Sequence, residues 1–294
     1  MSALFINDIQ NIFEAPMDLS SEIISSFQKS ITVTAPAIKD LSFVHTGTAL
    51  GYAQGDALKI HCPLTNTPLN MIHIPDLKKL VFLFDNTILH TTPTHVKYLS
   101  IYDNTYIRTY NCEGVNDIQS KIDDDVFMCV NDRKIEFYDL RSVHPVSFLT
   151  VRNCVAALNN FCFAVLINKT LLKVFEVGAS SPRLTKEVFN VDKVKLTNDN
   201  KYVLLGTSKS VIVLDINTGN EEQKIYIDNL VDFDVSESSE YLFMLHDGKV
   251  SVNKIKKREL IMSMQVGEQK MIRMNPSYAQ FVSAMPNLTF YAAE

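Results

Sequence analysis

Apolar and polar side chains alternate in short runs along most of the chain, the two-residue period of β-strands with one buried face. The clearest run is Lys134-Ile135-Glu136-Phe137-Tyr138-Asp139-Leu140-Arg141-Ser142, a strand followed by an acidic residue and a turn. Variants are Leu58-Lys59-Ile60-His61-Cys62-Pro63, Tyr98-Leu99-Ser100-Ile101-Tyr102-Asp103, Leu172-Lys173-Val174-Phe175-Glu176 and Val211-Ile212-Val213-Leu214-Asp215. Val250-Ser251-Val252-Asn253-Lys254 and Leu288-Thr289-Phe290-Tyr291-Ala292 are weaker copies. The phrases end at positions 63, 103, 139, 176, 215, 254 and 292, so the steps are 40, 36, 37, 39, 39 and 38 residues. A near-constant step of this size, with room for four short strands, is the length of one propeller blade. The pattern predicts an all-β chain folded as a seven-bladed β-propeller.

Within each repeat the expected order is an inner strand, a turn, a second strand, a tight turn, the phrase strand and a link through an outer strand. Residues 191–215 show it best, with Val194-Lys195-Leu196, the turn Asn198-Asp199-Asn200, Tyr202-Val203-Leu204-Leu205-Gly206, the turn Ser208-Lys209-Ser210, then the phrase. Asn, Asp, Gly and Ser suit such turns because they tolerate left-handed backbone or bond their own main chain. Asn217-Thr218-Gly219-Asn220 then bends the chain to an outer strand at 223–227. The seventh phrase lies almost at the last residue, which leaves its blade one strand short. Phe27, Ile31 and Val33 give residues 27–34 β character, and this segment is expected to supply the missing outermost strand. Such closure removes the open edges that otherwise template aggregation. Residues 1–25 differ: Phe5, Ile6, Ile9, Ile12 and Phe13 recur at helical spacing and Pro16 ends that pattern. A segment this short is not stable alone, so it docks on the body or on a partner. The chain divides into an N-terminal extension with a short helix, residues 1–25, and a propeller, residues 26–294.

Common WD repeats pair a Gly-His dipeptide with a Trp-Asp dipeptide in a buried hydrogen-bond network. This chain has no Trp and no Gly-His. Asp56, Asp132 and Asp247 hold suitable tight-turn positions without a histidine partner, while Tyr102, Tyr138, Phe175 and Leu214 stand where Trp is expected. The repeats are therefore degenerate WD repeats, held mainly by apolar packing between blades.

Charge and chemistry narrow the function. A net charge of −5 argues against a dedicated nucleic-acid binder, which would be basic. Cys62, Cys112, Cys129, Cys154 and Cys162 are odd in number and form no C-x-x-C pair, so a reducing compartment is expected. Apolar runs fall short of the roughly 18–20 residues that span a bilayer, and no secretory signal is evident, so the expectation is a soluble intracellular protein. The seven histidines form no metal-binding motif, and His61 beside Cys62 reads as structural. No nucleophile elbow, phosphate-binding loop or dinucleotide fingerprint occurs. Asp123-Asp124-Asp125 reads as a solvated turn rather than a cation site. Lys254, Lys256, Lys257 and Arg258 form one basic cluster, by default a solvated face, or else a contact for a phosphorylated tail or nucleic acid. A propeller enzyme needs carboxylates or histidines converging at inner-strand ends, and none is read in register. The expectation is a non-enzymatic binding platform with no catalytic residues, metal or cofactor.

One stretch is more specific than the repeat. His95-Val96-Lys97-Tyr98-Leu99-Ser100-Ile101-Tyr102-Asp103-Asn104-Thr105-Tyr106-Ile107-Arg108-Thr109-Tyr110 resembles the second-blade signature "R-Y-L-S-L-H-D-N-x-Y-I-R" of one WD-repeat family. That family is the subunit shared by the COMPASS (Set1-type) histone H3 lysine-4 methyltransferase and by cleavage-and-polyadenylation or phosphatase-containing termination complexes. Residues 134–142 are similar to its "T-I-R-L-W-D-L-R-S", residues 275–284 and 287–291 to its C-terminal blade, and residues 27–44 to its opening strands. The resemblance spans nearly the whole chain, though residues 1–25 have no counterpart in it. It implies a nuclear scaffold that holds the N-terminal region of a Set1-type methyltransferase and acts in mRNA 3′-end formation and termination. It also implies a link to RNA polymerase II with a phosphorylated tail, without sequence-specific nucleic-acid binding or a membrane. Two readings of the signature stay open. In one, Tyr106 and Ile107 fill the outer strand while Asp103 and Arg108 pair along it. In the other, Asp103, Asn104, Tyr106 and Arg108, with Arg141 of the next blade, present a docking surface for a partner peptide. Outside this family, the same platform would suit an adaptor in a vesicle coat, a ubiquitin ligase or ribosome assembly.

Overall fold

The computed structural model describes residues 19–120, 125–257 and 259–293. The helical spacing from Phe5 to Phe13, the acidic pair Asp123 and Asp124, and Arg258 lie outside the described residues. Seven four-stranded antiparallel sheets stand in a ring, so the chain is a seven-bladed β-propeller. Blade 1 runs outward from the axis as Ile38–Phe43, Leu50–Gln54, Ala57–Cys62 and Thr67–His73, and blades 2 to 6 repeat that order. Blade 7 takes its inner three strands from Met271–Met274, Gln280–Ala284 and Leu288–Ala293 and its outermost from Phe27–Val33. Phe27 pairs with Ala293 and Val33 with Leu288. Both ends of the chain therefore close the ring, as the sequence predicts. Before this strand, one helical turn, Ser21–Ser25, is capped by Ser20, whose hydroxyl accepts the Ile23 N–H.

All seven phrases fall on the third strand of a blade, and hydrogen bonding corrects the register in blade 2. In blades 2 to 6 the residue after the third strand returns its N–H to the residue before the second strand. Leu140 donates to Asp125, Val177 to Phe161, Ile216 to Lys201, Ile255 to Glu240, and Ile101 to Asn86, all at 2.7–3.0 Å. The blade 2 strand, His95–Ser100, thus ends three residues before Asp103. Ile101, Leu140, Val177, Ile216 and Ile255 become equivalent, at even steps of 39, 37, 39 and 39 residues. The Trp-like position of blade 2 is then the buried Leu99, while Tyr102 belongs to the turn and is 63 % exposed. Tyr138, Phe175 and Leu214 are buried as expected.

Apolar packing joins the blades: Phe163 of blade 4 lies 4.8 Å from Phe137 of blade 3 and 4.9 Å from Phe175 of its own blade, centroid to centroid. Each such buried ring contributes roughly 1.5–3 kcal/mol. Polar pairs add to this packing. Asn116 Nδ2 donates to Asp132 Oδ1 at 2.6 Å, Asn229 Nδ2 to Asp247 Oδ1 at 2.8 Å, and Lys39 approaches Asp56 to 3.9 Å. Asparagine or lysine thus stands in for the missing histidine, on the surface rather than in the core.

Each inner strand is also the edge of its sheet, with main-chain N–H groups turned toward the preceding blade. Side chains one repeat earlier accept them. Asp40 Oδ2 takes the Leu80 N–H (3.0 Å), Gln119 Oε1 takes Leu158 (2.7 Å), Asp232 Oδ2 takes Ile272 (3.2 Å) and Asp234 Oδ2 takes Met274 (2.8 Å). Asp40, Gln119 and Asp234 line a central channel of about 650 Å³. Inner-strand carboxylates therefore do converge on the axis, contrary to the sequence reading, but they are engaged. Asp40 meets Lys79 (3.7 Å), Asp232 meets Lys193 and Arg273 (both 2.8 Å), and Asp234 pairs with Lys195. Burial pushes the Asp232 carboxyl up, but Arg273, Lys193 and Lys195 outweigh it and hold it at about 2. Asp40 has weaker support, and its burial outweighs Lys79 so that its carboxyl titrates above the ordinary range.

Candidate partner-binding surface

The signature segment forms the turn and outer strand, Thr105–Asn111, of blade 2. Asp103 and Asn104 do turn chemistry. Asp103 Oδ1 accepts the Thr105 N–H (3.3 Å) and hydroxyl (2.9 Å), and hydroxyls of Ser100 and Thr105 hold its carboxyl below the ordinary value. Asn104 takes φ +57°, the left-handed region that asparagine tolerates better than most residues.

A register shift separates Tyr106 from Arg108 and sends them to opposite sides of the strand, Tyr106 opposite Leu99 and Arg108 opposite Tyr98. Arg108 does not pair with Asp103. It crosses to blade 3, where its Nη1 donates to the Leu140 carbonyl at 2.6 Å, and the Tyr110 hydroxyl donates to the same oxygen at 3.1 Å. Burial pushes the Tyr110 phenol up to about 12, in keeping with a fixed donor. Arg108 is thus a clamp between blades. Arg141, one residue beyond Leu140, grips Asp139 with two hydrogen bonds (2.8 and 2.6 Å) and lies 3.7 Å from Asp125. Those bonds hold the Asp139 carboxyl at about 2.

Of the five candidate residues, Tyr106 offers an apolar face to solvent, at 47 % exposure, beside the half-exposed Ile107. Its ring leans on His90, centroids 5.7 Å apart, and the Lys97 ammonium lies 4.8 Å from its centroid. His90 is fully buried and neither ring nitrogen makes a hydrogen bond. Burial and the nearby Lys97 push its imidazole down to about 4, a weak main-chain interaction with Thr91 offsetting only part of this. The next outer strand, Pro145–Thr150, adds Val146 and Phe148, the latter 68 % exposed. Neither is among the residues singled out by the sequence. Their signal was apolar residues on both parities of an outer strand, Val146 and Phe148 against Leu149, where one face alone packs inward.

The other candidates are structural or solvated. His61 bonds Asn66 (3.0 Å) and stacks on Phe290 at 5.6 Å. Lys254 lies 5.4 Å from the Tyr241 ring centroid, with Lys256 and Lys257 exposed. Among the described residues no group of three or more His, Cys, Asp or Glu is arranged to hold a metal ion, and no helix is long and apolar enough to cross a membrane. Set against protein-family models and curated proteins, the chain matches none. The fold, with apolar side chains exposed on the edges of blades 2 and 3, is that of a β-propeller suited to a scaffold or adaptor role.

Proposed function

We propose that the chain is a non-enzymatic nuclear scaffold, a divergent subunit of a Set1-type methyltransferase complex and of mRNA 3′-end processing and termination complexes. It would hold the N-terminal region of the methyltransferase and link these complexes to RNA polymerase II. The observation that carries this reading is the blade 2 segment, residues 95–110, whose likeness to the family signature is joined to an outward-facing pair, Tyr106 and Ile107. Aromatic residues at such edges are favoured anchors for partner peptides.

The experiment is affinity purification of the wild type and of Tyr106→Ala/Ile107→Ala, with identification of the bound chains. Arg108 is left intact because its bond to Leu140 supports the fold. The proposal expects methyltransferase or cleavage-complex subunits with the wild type, and their loss from the double variant at an unchanged melting temperature. Recovery of coat, ubiquitin-ligase or ribosome-assembly subunits instead would refute it.

A further inference from the structure

Blade 4 has the shortest outer strand of the ring. Leu184–Glu187 spans four residues, against six or seven in each other blade, and pairs only with Leu171 to Val174. Of the blade 5 side chains turned toward it, Leu205 and Leu214 are buried, while Ile212 is only partly covered. The space left open is a groove of about 560 Å³, lined by Val188, Leu205, Ile212 and Leu214. Phe189 and Tyr226 stand at its rim, 79 % and 78 % exposed, the highest values for large apolar side chains among the described residues. An aromatic side chain buries roughly 150–250 Å² when covered. Two left in water beside an apolar groove of ligand-pocket size mark a binding surface.

A second groove of about 500 Å³, on the neighbouring side of blade 5, shares Lys209 and Tyr226 with the first and continues to Met244 and Leu260 of blade 6. The two form one track along the outer edge, a shape for an extended chain rather than a compact ligand. Charge selects that chain. Lys186, Lys209 and Lys224 line the first groove against Glu187 and Glu221, three positive against two negative, in a protein of net charge −5. Lys186 Nζ donates to the Gly219 carbonyl and the Lys224 ammonium lies 5.3 Å from the Tyr226 ring centroid. The Lys209 ammonium has no hydrogen-bond or ion-pair partner among the described residues. The second groove carries Asp228 and Asp247, so the partner's acidic residues belong over the first.

We propose that this track binds an acidic, extended peptide of a partner protein. One apolar side chain seats between Phe189 and Tyr226, and its carboxylates face Lys186, Lys209 and Lys224. The site goes beyond the blade 2 reading and shares no residue with it, so either can fail alone.

The test is selection of a displayed random dodecapeptide library on the full chain, followed by titration of the enriched peptides. Both rim rings are exposed, so Phe189→Ser/Tyr226→Ser should melt with the wild type. The expected result is a net-negative consensus with an apolar anchor, whose binding weakens about tenfold or more in that variant and in Lys209→Glu. A basic or neutral consensus, equal binding to wild type and variants, or no enrichment overturns the proposal. So does self-association in sedimentation velocity that the double variant abolishes, since the occupant would then be a second copy.

Discussion

His90 is the residue at which local chemistry and fold are least reconciled. Both its nitrogens are buried without hydrogen bonds, an arrangement that costs roughly 1–3 kcal/mol per unsatisfied group. Its folded pKa, about 4, lies below the unfolded value near 6.5. As pH falls through that window the unfolded chain takes up a proton that the folded chain resists, so stability drops between about pH 6.5 and pH 4. The loss reaches up to about 3 kcal/mol at 1.36 kcal/mol per pH unit. His90→Leu should melt at or above the wild-type temperature at pH 7 and lose much less on transfer to pH 5. Thermal melts by circular dichroism at the two pH values measure this. An identical pH 5 penalty in both proteins would show that His90 does not carry the acid sensitivity.

Among elements, the seams between blades set what each strand tolerates. Gly206, on the second strand of blade 5, lies against Phe233 on the inner strand of blade 6. A Cβ there would stand 2.6 Å from the Phe233 ring, which is fully buried and has no room to retreat. Gly51 meets Phe82 in the same way at the seam between blades 1 and 2, at 2.9 Å. Overpacking of this kind costs about 1–3 kcal/mol, against the gain of up to about 1 kcal/mol that alanine brings by restricting the unfolded chain. Gly206→Ala is thus expected to lower the urea midpoint without changing the slope of the transition. A raised midpoint would mean that the seam yields and the backbone term dominates.

For the whole molecule, closure by Phe27–Val33 is the decisive contact, because it joins residues more than 250 positions apart and gives the seventh sheet its fourth strand. Phe27 lies between Phe243 of blade 6 and Phe281 of blade 7, ring centroids 6.4 and 5.6 Å away. Phe27→Ala should cost about 3–5 kcal/mol. A chain that begins at residue 34 leaves Leu288–Ala293 as an open edge and should elute as aggregate in size-exclusion chromatography. A monomeric, cooperatively melting truncated chain would show that the ring holds without its clasp.

By itself the sequence determined the all-β class, the number of blades, the third strand of each and the segment that closes the ring. These follow from a two-residue alternation and a step near 39 residues, both properties of neighbours along the chain. The turn chemistry of Asp103-Asn104 was equally local, although the blade 2 phrase was read three residues late because Ile101 and Tyr102 extend its apolar pattern. Only the tertiary structure decided that Arg108 clamps Leu140 across the seam rather than pairing with Asp103. The same holds for the inner-strand carboxylates spent on the next blade's N–H groups, and for the exposure of Phe148, Phe189 and Tyr226. Those outcomes depend on which side chains one blade brings against another. Contacts made a full repeat apart leave no mark in the alternation of a single strand.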